Sequence, residues 1–454
     1  VNESINGVVW GPVTLFLFLA TGIWFTLGTG WFQLSKIGLI FRNTLGSLGK
    51  NRLRKNGGIS PFQAMSTALA GTMGVGNITG IATAITIGGP GAVFWMWISA
   101  FFGMMTKYAE VLLAVRYRQK GASGYFGGPM YYMEKGIGSK VLAIIFSCLC
   151  IAASLGVGNM TQSNAISLAT NQLWSFPYWL SGLLTALAIG LVIIGGIRRI
   201  ALVTEWMIPF LSIGYLTCSI LVLILRADRL PEAIHLIFSS AFTPASAAGG
   251  VAGYTVSQAV RFGFARGIFS NEAGLGTLAV LHGPAEHTTP WEQGMWAMFE
   301  VFFDTVVLCT LTALVILCTS QGDIETFSLT GAALAAACFS ARSGIVGKWF
   351  ISVSMVVFAF ATVIAWYYLG QQAVVYLKEK TGILHLHILY PILFLLAVFA
   401  GGCIRLEAIW MLSDLWNGLM AFFNLTALLF LSGEVCIPDH SDLSNTTKKT
   451  PHVK

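Results

Sequence analysis

Ala70-Gly71-Thr72-Met73-Gly74-Val75-Gly76-Asn77-Ile78-Thr79-Gly80 decides how the rest of the chain is read. It lies at the centre of an apolar segment, about Pro61 to Ile87, long enough to cross a bilayer as a helix, which takes ~20 residues. Gly71, Gly74, Gly76, Gly80 and Asn77 interrupt that segment. Each glycine weakens a helix by roughly 1 kcal/mol relative to alanine, so the span is expected to break at mid-membrane. Backbone opened at that depth is tolerated only where it is buried in protein or lines a cavity. A second stretch of the same kind, Arg266-Gly267-Ile268-Phe269-Ser270-Asn271-Glu272-Ala273-Gly274-Leu275-Gly276-Thr277, places Asn271 194 positions after Asn77. Two interrupted spans in corresponding places of two halves point to the binding site of a secondary transporter.

Composition agrees with a membrane location. Of the 454 residues, 56% are hydrophobic and 10% charged, where a soluble domain carries about 25% charged residues. The chain therefore reads as an all-α integral membrane protein in contact with a lipid bilayer. The net charge of +7 calls for no nucleic-acid partner, because the Lys and Arg residues sit in short loops. The eight cysteines fall mostly inside apolar runs without a CxxC pair, where cysteine behaves as a small hydrophobe. The seven histidines show no metal-ligand spacing. No basic segment leads into a cleavage site, so no cleavable signal peptide is expected.

Eleven spans are expected: Pro12–Phe32, Pro61–Ile87, Ala92–Val115, Lys140–Ala169, Pro177–Gly195, Val203–Leu225, Tyr254–Leu281, Trp291–Thr319, Lys348–Leu377, His385–Cys403 and Ala408–Leu431. Arg226–Gly253 reads as a long connection, and Gln321–Gly344 as a loop with a helical piece, Gly331–Phe339. With the N-terminus outside and the C-terminus cytoplasmic, inner segments, counted with Lys140 at the edge of its span, hold 18 of the 26 Lys and Arg residues, as cytoplasmic loops do. Residues 1–35 then form an extra N-terminal span. Residues 60–226 and 254–432 form two groups of five helices, and 433–454 a cytoplasmic tail expected to be disordered. Each group begins with a broken span. Five being odd, the second group enters from the opposite side, which makes an inverted repeat.

A broken helix offers two tools. The N-terminus of its second half presents free N–H groups to an anion, and the C-terminus of its first half presents carbonyls to a hard cation. Val75, Gly76 and Asn77 supply the N–H groups, and Ala70 and Met73 the carbonyls. The pairing suits a carboxylate moved together with a cation; the alternative is a kinked helix packed through small residues. In Gly156-Val157-Gly158-Asn159-Met160-Thr161-Gln162-Ser163-Asn164, Gln162 offers an acceptor for an ammonium group, or else an interhelical hydrogen bond. In Phe358-Ala359-Phe360-Ala361-Thr362-Val363-Ile364-Ala365-Trp366, the Thr362 hydroxyl either completes an oxygen cage or bonds back to its own helix. Glu272 is expected to pair with Arg266 or Arg261, and Lys107 with Glu110 three residues on. Glu300 and Asp304, four apart, repel unless separated or partnered, and could serve an ion path.

These residues, with Gly88-Gly89-Pro90-Gly91-Ala92-Val93-Phe94-Trp95-Met96-Trp97 and Gly103-Met104-Met105-Thr106-Lys107-Tyr108-Ala109-Glu110, resemble the alanine or glycine:cation (sodium:alanine) symporter family over about Pro12 to Leu431. The resemblance implies a LeuT-like inverted-repeat core and import of a small neutral amino acid, alanine or glycine, with Na⁺ as the coupling ion. It implies a substrate site of Thr72, Gly74, Val75, Gly76, Asn77, Gln162, Phe269, Thr362 and Trp366. The family's late span reads Phe-Ser-Thr where this chain has Phe360-Ala361-Thr362, so one candidate hydroxyl is lost; the glycine four residues after that serine is Ala365 here. On the combined reading Val75, Gly76 and Asn77 hold the carboxylate, and Gln162, Asn77 and carbonyls near Phe269 take the ammonium. Phe269 and Trp366 enclose the side chain, and Ala70, Met73, Phe358 and Thr362 hold Na⁺. The rivals are a proton-coupled carrier using Glu272, a channel, and a membrane-embedded enzyme, for which no triad, metal cluster or acid pair converges.

Overall fold

A computed structural model describes residues 11–48, 58–121, 124–243, 256–320, 329–383, 385–404 and 407–436. The polypeptide is helical almost throughout. Helix α1 (Pro12–Gly28) leads through two short helical pieces to the first broken span. Helix α2 (Pro61–Thr72) starts with proline in its first turn and a reciprocal capping box between Ser60 and Gln63, which satisfies two orphan donors. It gives way after Thr72 to a π-helical turn, Gly76–Gly80, and then α3 (Ile81–Gly88). The two halves meet at 52°.

Next come α4 (Ala92–Arg116), a hairpin of β1 (Gln119–Gly121) and β2 (Gly124–Phe126), and α5 (Pro129–Lys135). Helices α6 (Lys140–Leu155) and α7 (Thr161–Trp174) are joined through a π turn at Gly156–Met160. They are followed by α8 (Tyr178–Ile193), α9 (Gly196–Ile224) and α10 (Leu230–Phe242). The second broken span is α11 (Val256–Asn271) and α12 (Thr277–His282). Helices α13 (Pro290–Val301) and α14 (Thr310–Thr319) join through a π-helical run, Phe302–Cys309. The chain continues as α15 (Gly331–Ser343), α16 (Ile345–Thr381), α17 (Leu386–Cys403), α18 (Glu407–Phe430) and α19 (Ser432–Cys436).

The broken spans lie inside. α16, 37 residues long, runs through the core against α2, α6 and α7, while α4 packs on α11 and α13. α9 and α17 turn apolar side chains outward: Ile194, beside α9, is 82% exposed, and Trp206 on α9 is 79% exposed. Large apolar groups facing outward in such numbers need a lipid solvent. Among the described residues six helices are long and apolar enough to cross a membrane, and the bent pair α2/α3 makes a seventh. Shorter apolar helices include Tyr178–Ile193 and Leu415–Phe430.

Three connections differ from the sequence expectation. Helix α10 forms inside Arg226–Gly253; Ala233, Ile237 and Ala241, at four-residue spacing, are its buried face. Helix α7 continues past Ala169 to Trp174 and ends where Ser175 turns left-handed at φ 55°. The helical piece expected at Gly331–Phe339 reaches Ser343. The start of the expected tail is α19, and residues 437–454 lie outside the described residues.

Candidate functional site

The break in the first span follows from where its backbone hydrogen bonds go. Met73 N–H makes the last helical bond, to Leu69 O at 2.7 Å. Gly74 N–H folds back onto Thr72 O at 2.7 Å, and Val75 N–H turns to Gln162 Oε1 at 3.3 Å. The carbonyls of Ala70 and Gly71 thereby lose their partners four residues on. Side chains of α16 meet them instead: Thr362 Oγ1 lies 2.9 Å from Ala70 O, and Trp366 Nε1 donates to Gly71 O at 3.4 Å. Thr362 Oγ1 is also 3.0 Å from Phe358 O. A hydroxyl has one proton to donate, so it serves these two carbonyls one at a time. The bridge to α2 and the bond back to its own helix are thus both present. Across the break, the N–H groups of Gly76 and Asn77 have no acceptor among the described residues. Orphan N–H groups at a helix start make an anion site.

A cavity of about 540 Å³ opens onto these groups. Val75, Gly76, Gln162 and Phe269 are on its wall, with Thr79, Thr83, Asn164, Arg266 and Ser352. The other candidates lie beneath that wall. Thr72 bonds back to Leu69 O at 3.1 Å. Trp366 is buried against Gly158, where a β-carbon would overlap its ring. Ala70, Met73, Phe358 and Thr362 are all buried between α2 and α16. Gly74 holds this region together by lacking a side chain: a β-carbon there would sit 2.9 Å from Thr362 Oγ1 and 3.1 Å from Gln162 Oε1.

Asn77 turns away from the cavity. Its Nδ2 donates to Asp304 Oδ1 at 2.6 Å, and the other carboxylate oxygen accepts from Ser270 Oγ at 2.6 Å and Thr305 Oγ1 at 3.0 Å. Asn271 Nδ2 donates to Thr305 Oγ1 at 3.2 Å, so both broken spans are tied to the π-helical run between α13 and α14. The sequence marked Asp304 as half of an i, i+4 acidic pair that could serve an ion path, and not as the partner of Asn77. In the structure the pair is separated, because Glu300 Oε2 lies 2.9 Å from His282 Nε2. An acid inside the apolar run Phe302–Cys309 was the available signal.

The second break is closed on itself. Glu272 adopts φ 52°, Gly274 87° and Gly276 77°. Gly276 N–H donates to Glu110 Oε1 at 3.0 Å, and Asn424 Nδ2 bridges Glu110 Oε1 at 2.6 Å and Gly274 O at 2.9 Å. Two pairings expected from the sequence do not form. Glu272 accepts from Thr277 Oγ1 at 2.6 Å on the far side of the break, while the Arg266 guanidinium lies over the Phe269 ring at 5.7 Å. The left-handed turn at Glu272 carries its carboxylate away from the helix that bears Arg266. Lys107 and Glu110 are both buried, yet Lys107 Nζ makes no hydrogen bond.

Beyond the N-terminal end of the first broken span, away from Thr79 and Thr83, lies a set of polar ties. Ile59 and Ala285 form a parallel bridge, Glu286 N–H donates to Ile59 O at 2.8 Å, and Arg118 donates to Ala285 O. Lys380 Nζ pairs with Glu134 at 2.7 Å, and Arg116 with Glu434 at 3.1 Å.

The sequence profile of the sodium:alanine symporter family matches residues 1–452. The chain is 40% identical over 432 residues to an uncharacterized transporter of Haemophilus influenzae, covering 94% of this chain and 92% of that one. It is 39% identical over 442 residues to the sodium/alanine symporter AgcS of Methanococcus maripaludis, covering 95% and 94%. The structure of MhsT in complex with L-phenylalanine aligns with a TM-score of 0.56 over 82% of this chain and 96% of that one, at 12% identity, which is a likeness of fold, the LeuT-like fold. With its apolar helices and broken span, the chain is a multi-pass cell-membrane transporter of amino acids rather than an enzyme, and it belongs to the sodium:alanine symporter family.

Proposed function

We propose that the protein imports a small neutral amino acid, alanine or glycine, together with Na⁺ by alternating access. The observation that carries this is the first break. It leaves two N–H groups unpaired, at Gly76 and Asn77, and Gly76 lines a cavity of about 540 Å³. A substrate carboxylate bound there takes both N–H groups. The Gln162 oxygen, now at 3.3 Å from Val75 N–H, is long enough from it to be drawn to the ammonium. Phe269 forms the wall nearest the side chain. The remaining residues of the expected substrate set, Thr72, Gly74, Thr362 and Trp366, act from beneath by shaping the break.

For Na⁺, the carbonyl oxygens of Ala70 and Phe358 already lie 2.9 and 3.0 Å from the Thr362 hydroxyl, and Met73 O is the fourth candidate. A hard cation needs such oxygens and no soft ligand. With the cation in place the hydroxyl would present its lone pair. Moving one charge down 100 mV supplies roughly 2.3 kcal/mol, enough by itself for about fiftyfold accumulation. The distribution of Lys and Arg supports an N-terminus outside and a C-terminus in the cytoplasm, so the cavity faces outward and the Ile59–Ala285 side is the inner gate.

Purified protein in liposomes should accumulate radiolabelled alanine or glycine under an inward Na⁺ gradient, and should do so with the pH gradient collapsed. Gln162→Leu should weaken amino acid affinity more than Na⁺ affinity. Uptake indifferent to Na⁺ but lost on proton uncoupling and in Glu272→Gln would transfer the role to the proton-coupled alternative.

A further inference from the structure

We infer that a groove between the α1–α2 connection, α4 and α13 binds an anionic phospholipid whose headgroup carries a hydroxyl. The inference does not depend on which solute the protein moves. The groove has a volume of about 430 Å³, and every residue on its wall except Gln33 is hydrophobic. Ile37 and Phe41 come from the short helical piece Ile37–Asn43, Phe101 and Met104 from α4, and Phe302 opens the π-helical run after α13. Such a wall suits an acyl chain.

Gln33 asks for more than hydrocarbon. It is 4% exposed, and its Oε1 has no hydrogen-bond partner among the described residues. Turning the amide does not cure this. Thr26 Oγ1 gives its one proton to Gly22 O at 2.7 Å, so toward Gln33 it can only accept, as it does from Nε2 at 2.9 Å. The carbonyl oxygen is therefore the orphan, and a buried acceptor needs a donor. Because Gln33 belongs to the groove wall, an occupant of the groove can supply one. An acyl chain carries no donor, and neither does a choline headgroup; a glycerol headgroup does.

The charges beside the groove select the sign. Lys36 stands between Leu34 and Ile37, and Arg42 follows Phe41; those three apolar residues are all on the wall. Both cations are exposed, and among the described residues neither is paired with an acid. Lys50, Arg52, Arg54 and Lys55 follow in the sequence, and no Asp or Glu occurs between Glu3 and Glu110. A basic cluster of this size next to a membrane span attracts anionic lipid. Leu34, Ile37, Phe41, Leu45 and Leu48 are each more than 40% exposed, so apolar side chains point outward between the charges, as in segments that lie in a membrane interface. One phospholipid meets all three demands: its phosphate serves Lys36 and Arg42, a headgroup hydroxyl serves Gln33 Oε1, and an acyl chain fills the groove.

The test is equilibrium binding of radiolabelled phosphatidylglycerol to the delipidated full-length protein in detergent, with phosphatidylcholine as competitor. Wild type should bind one phosphatidylglycerol, phosphatidylcholine should compete poorly, and the preference should shrink as salt is raised. Lys36→Gln combined with Arg42→Gln should weaken binding about thirtyfold. Gln33→Leu, which removes the acceptor and keeps the bulk, should weaken it about fivefold. Ile37→Trp, which fills the groove, should abolish it. Lys36 and Arg42 are exposed, so their double variant keeps the site testable if Ile37→Trp does not fold. Unchanged affinity in the double variant or in Gln33→Leu would overturn the inference. Equal competition by phosphatidylcholine would leave an apolar groove with no headgroup recognition and overturn it too. A dimer that excludes phosphatidylglycerol and is broken by Ile37→Trp would assign the groove to a second copy of this chain instead.

Discussion

Gly74 and Gly76 are two residues apart and tolerate very different additions. A β-carbon at Gly76 would meet the Phe269 ring at 3.6 Å, an ordinary contact, whereas one at Gly74 would press on Thr362 Oγ1 at 2.9 Å. Gly76→Ala is therefore expected to keep alanine uptake, since its N–H still faces the cavity. Gly76→Val, whose added methyls crowd the space between that N–H and Phe269, should abolish it with the protein still inserted. Gly74→Ala should lose both alanine and Na⁺ binding, because it separates the two side chains that meet the break. Alanine and ²²Na⁺ binding to the three variants decides the matter. Normal alanine binding by Gly76→Val would remove the anion assignment. The glycines themselves were plain in the sequence; which one is under a packing constraint was not, because that depends on Thr362 and Gln162 arriving from 288 and 88 residues away.

The two broken spans look alike as sequence and behave differently as elements. The first leaves its N–H groups to a cavity; the second is sealed by Glu110 from α4 and Asn424 from α18. Removing the seal should be costly. Glu110→Ala leaves the Gly276 N–H and the Asn424 amide without their acceptor in a buried place, at about 1–3 kcal/mol for each unsatisfied group. The melting temperature should fall well below that of Glu134→Ala. Glu134 makes a partly exposed pair with Lys380, and such pairs contribute about 0–1 kcal/mol. Equal melting temperatures for the two variants would show that the Glu110 cap is not what holds the second break. Nothing in the local pattern of either stretch shows which of them opens, since the capping groups come from distant helices. The helix at Leu230–Phe242 is the converse: its four-residue spacing was there to be read within a segment taken for a connection.

At the scale of the whole molecule the proposed reading gives one open face, at the cavity, and one shut face, at Ile59 and Ala285. On the orientation supported by the Lys and Arg distribution, Thr83 lines the outward cavity. In a cysteine-free background, Thr83→Cys should react with a membrane-impermeant maleimide added outside intact cells, and Na⁺ with alanine should slow the reaction. Arg118→Ala, which removes the donor to Ala285 O at the shut face, should shift the population toward the inward-open state and also slow labelling. Labelling only from the cytoplasmic side would reverse the orientation.

The sequence by itself determined the class of protein, the pairing of two broken spans and the residue types at the first break. Each of these is a local matter: a run of apolar residues needs lipid, and glycines in mid-run cannot sustain a helix. Membership of the sodium:alanine symporter family follows from motifs that are likewise contiguous. Tertiary structure alone decided the partners. Asn77 faces Asp304 across 227 positions, Thr362 reaches Ala70 O across 292, and Glu272 is turned from Arg266 by a left-handed residue. Buried polar groups must find hydrogen bonds wherever the packing offers them, and in a bundle of long helices the nearest offer comes from another helix.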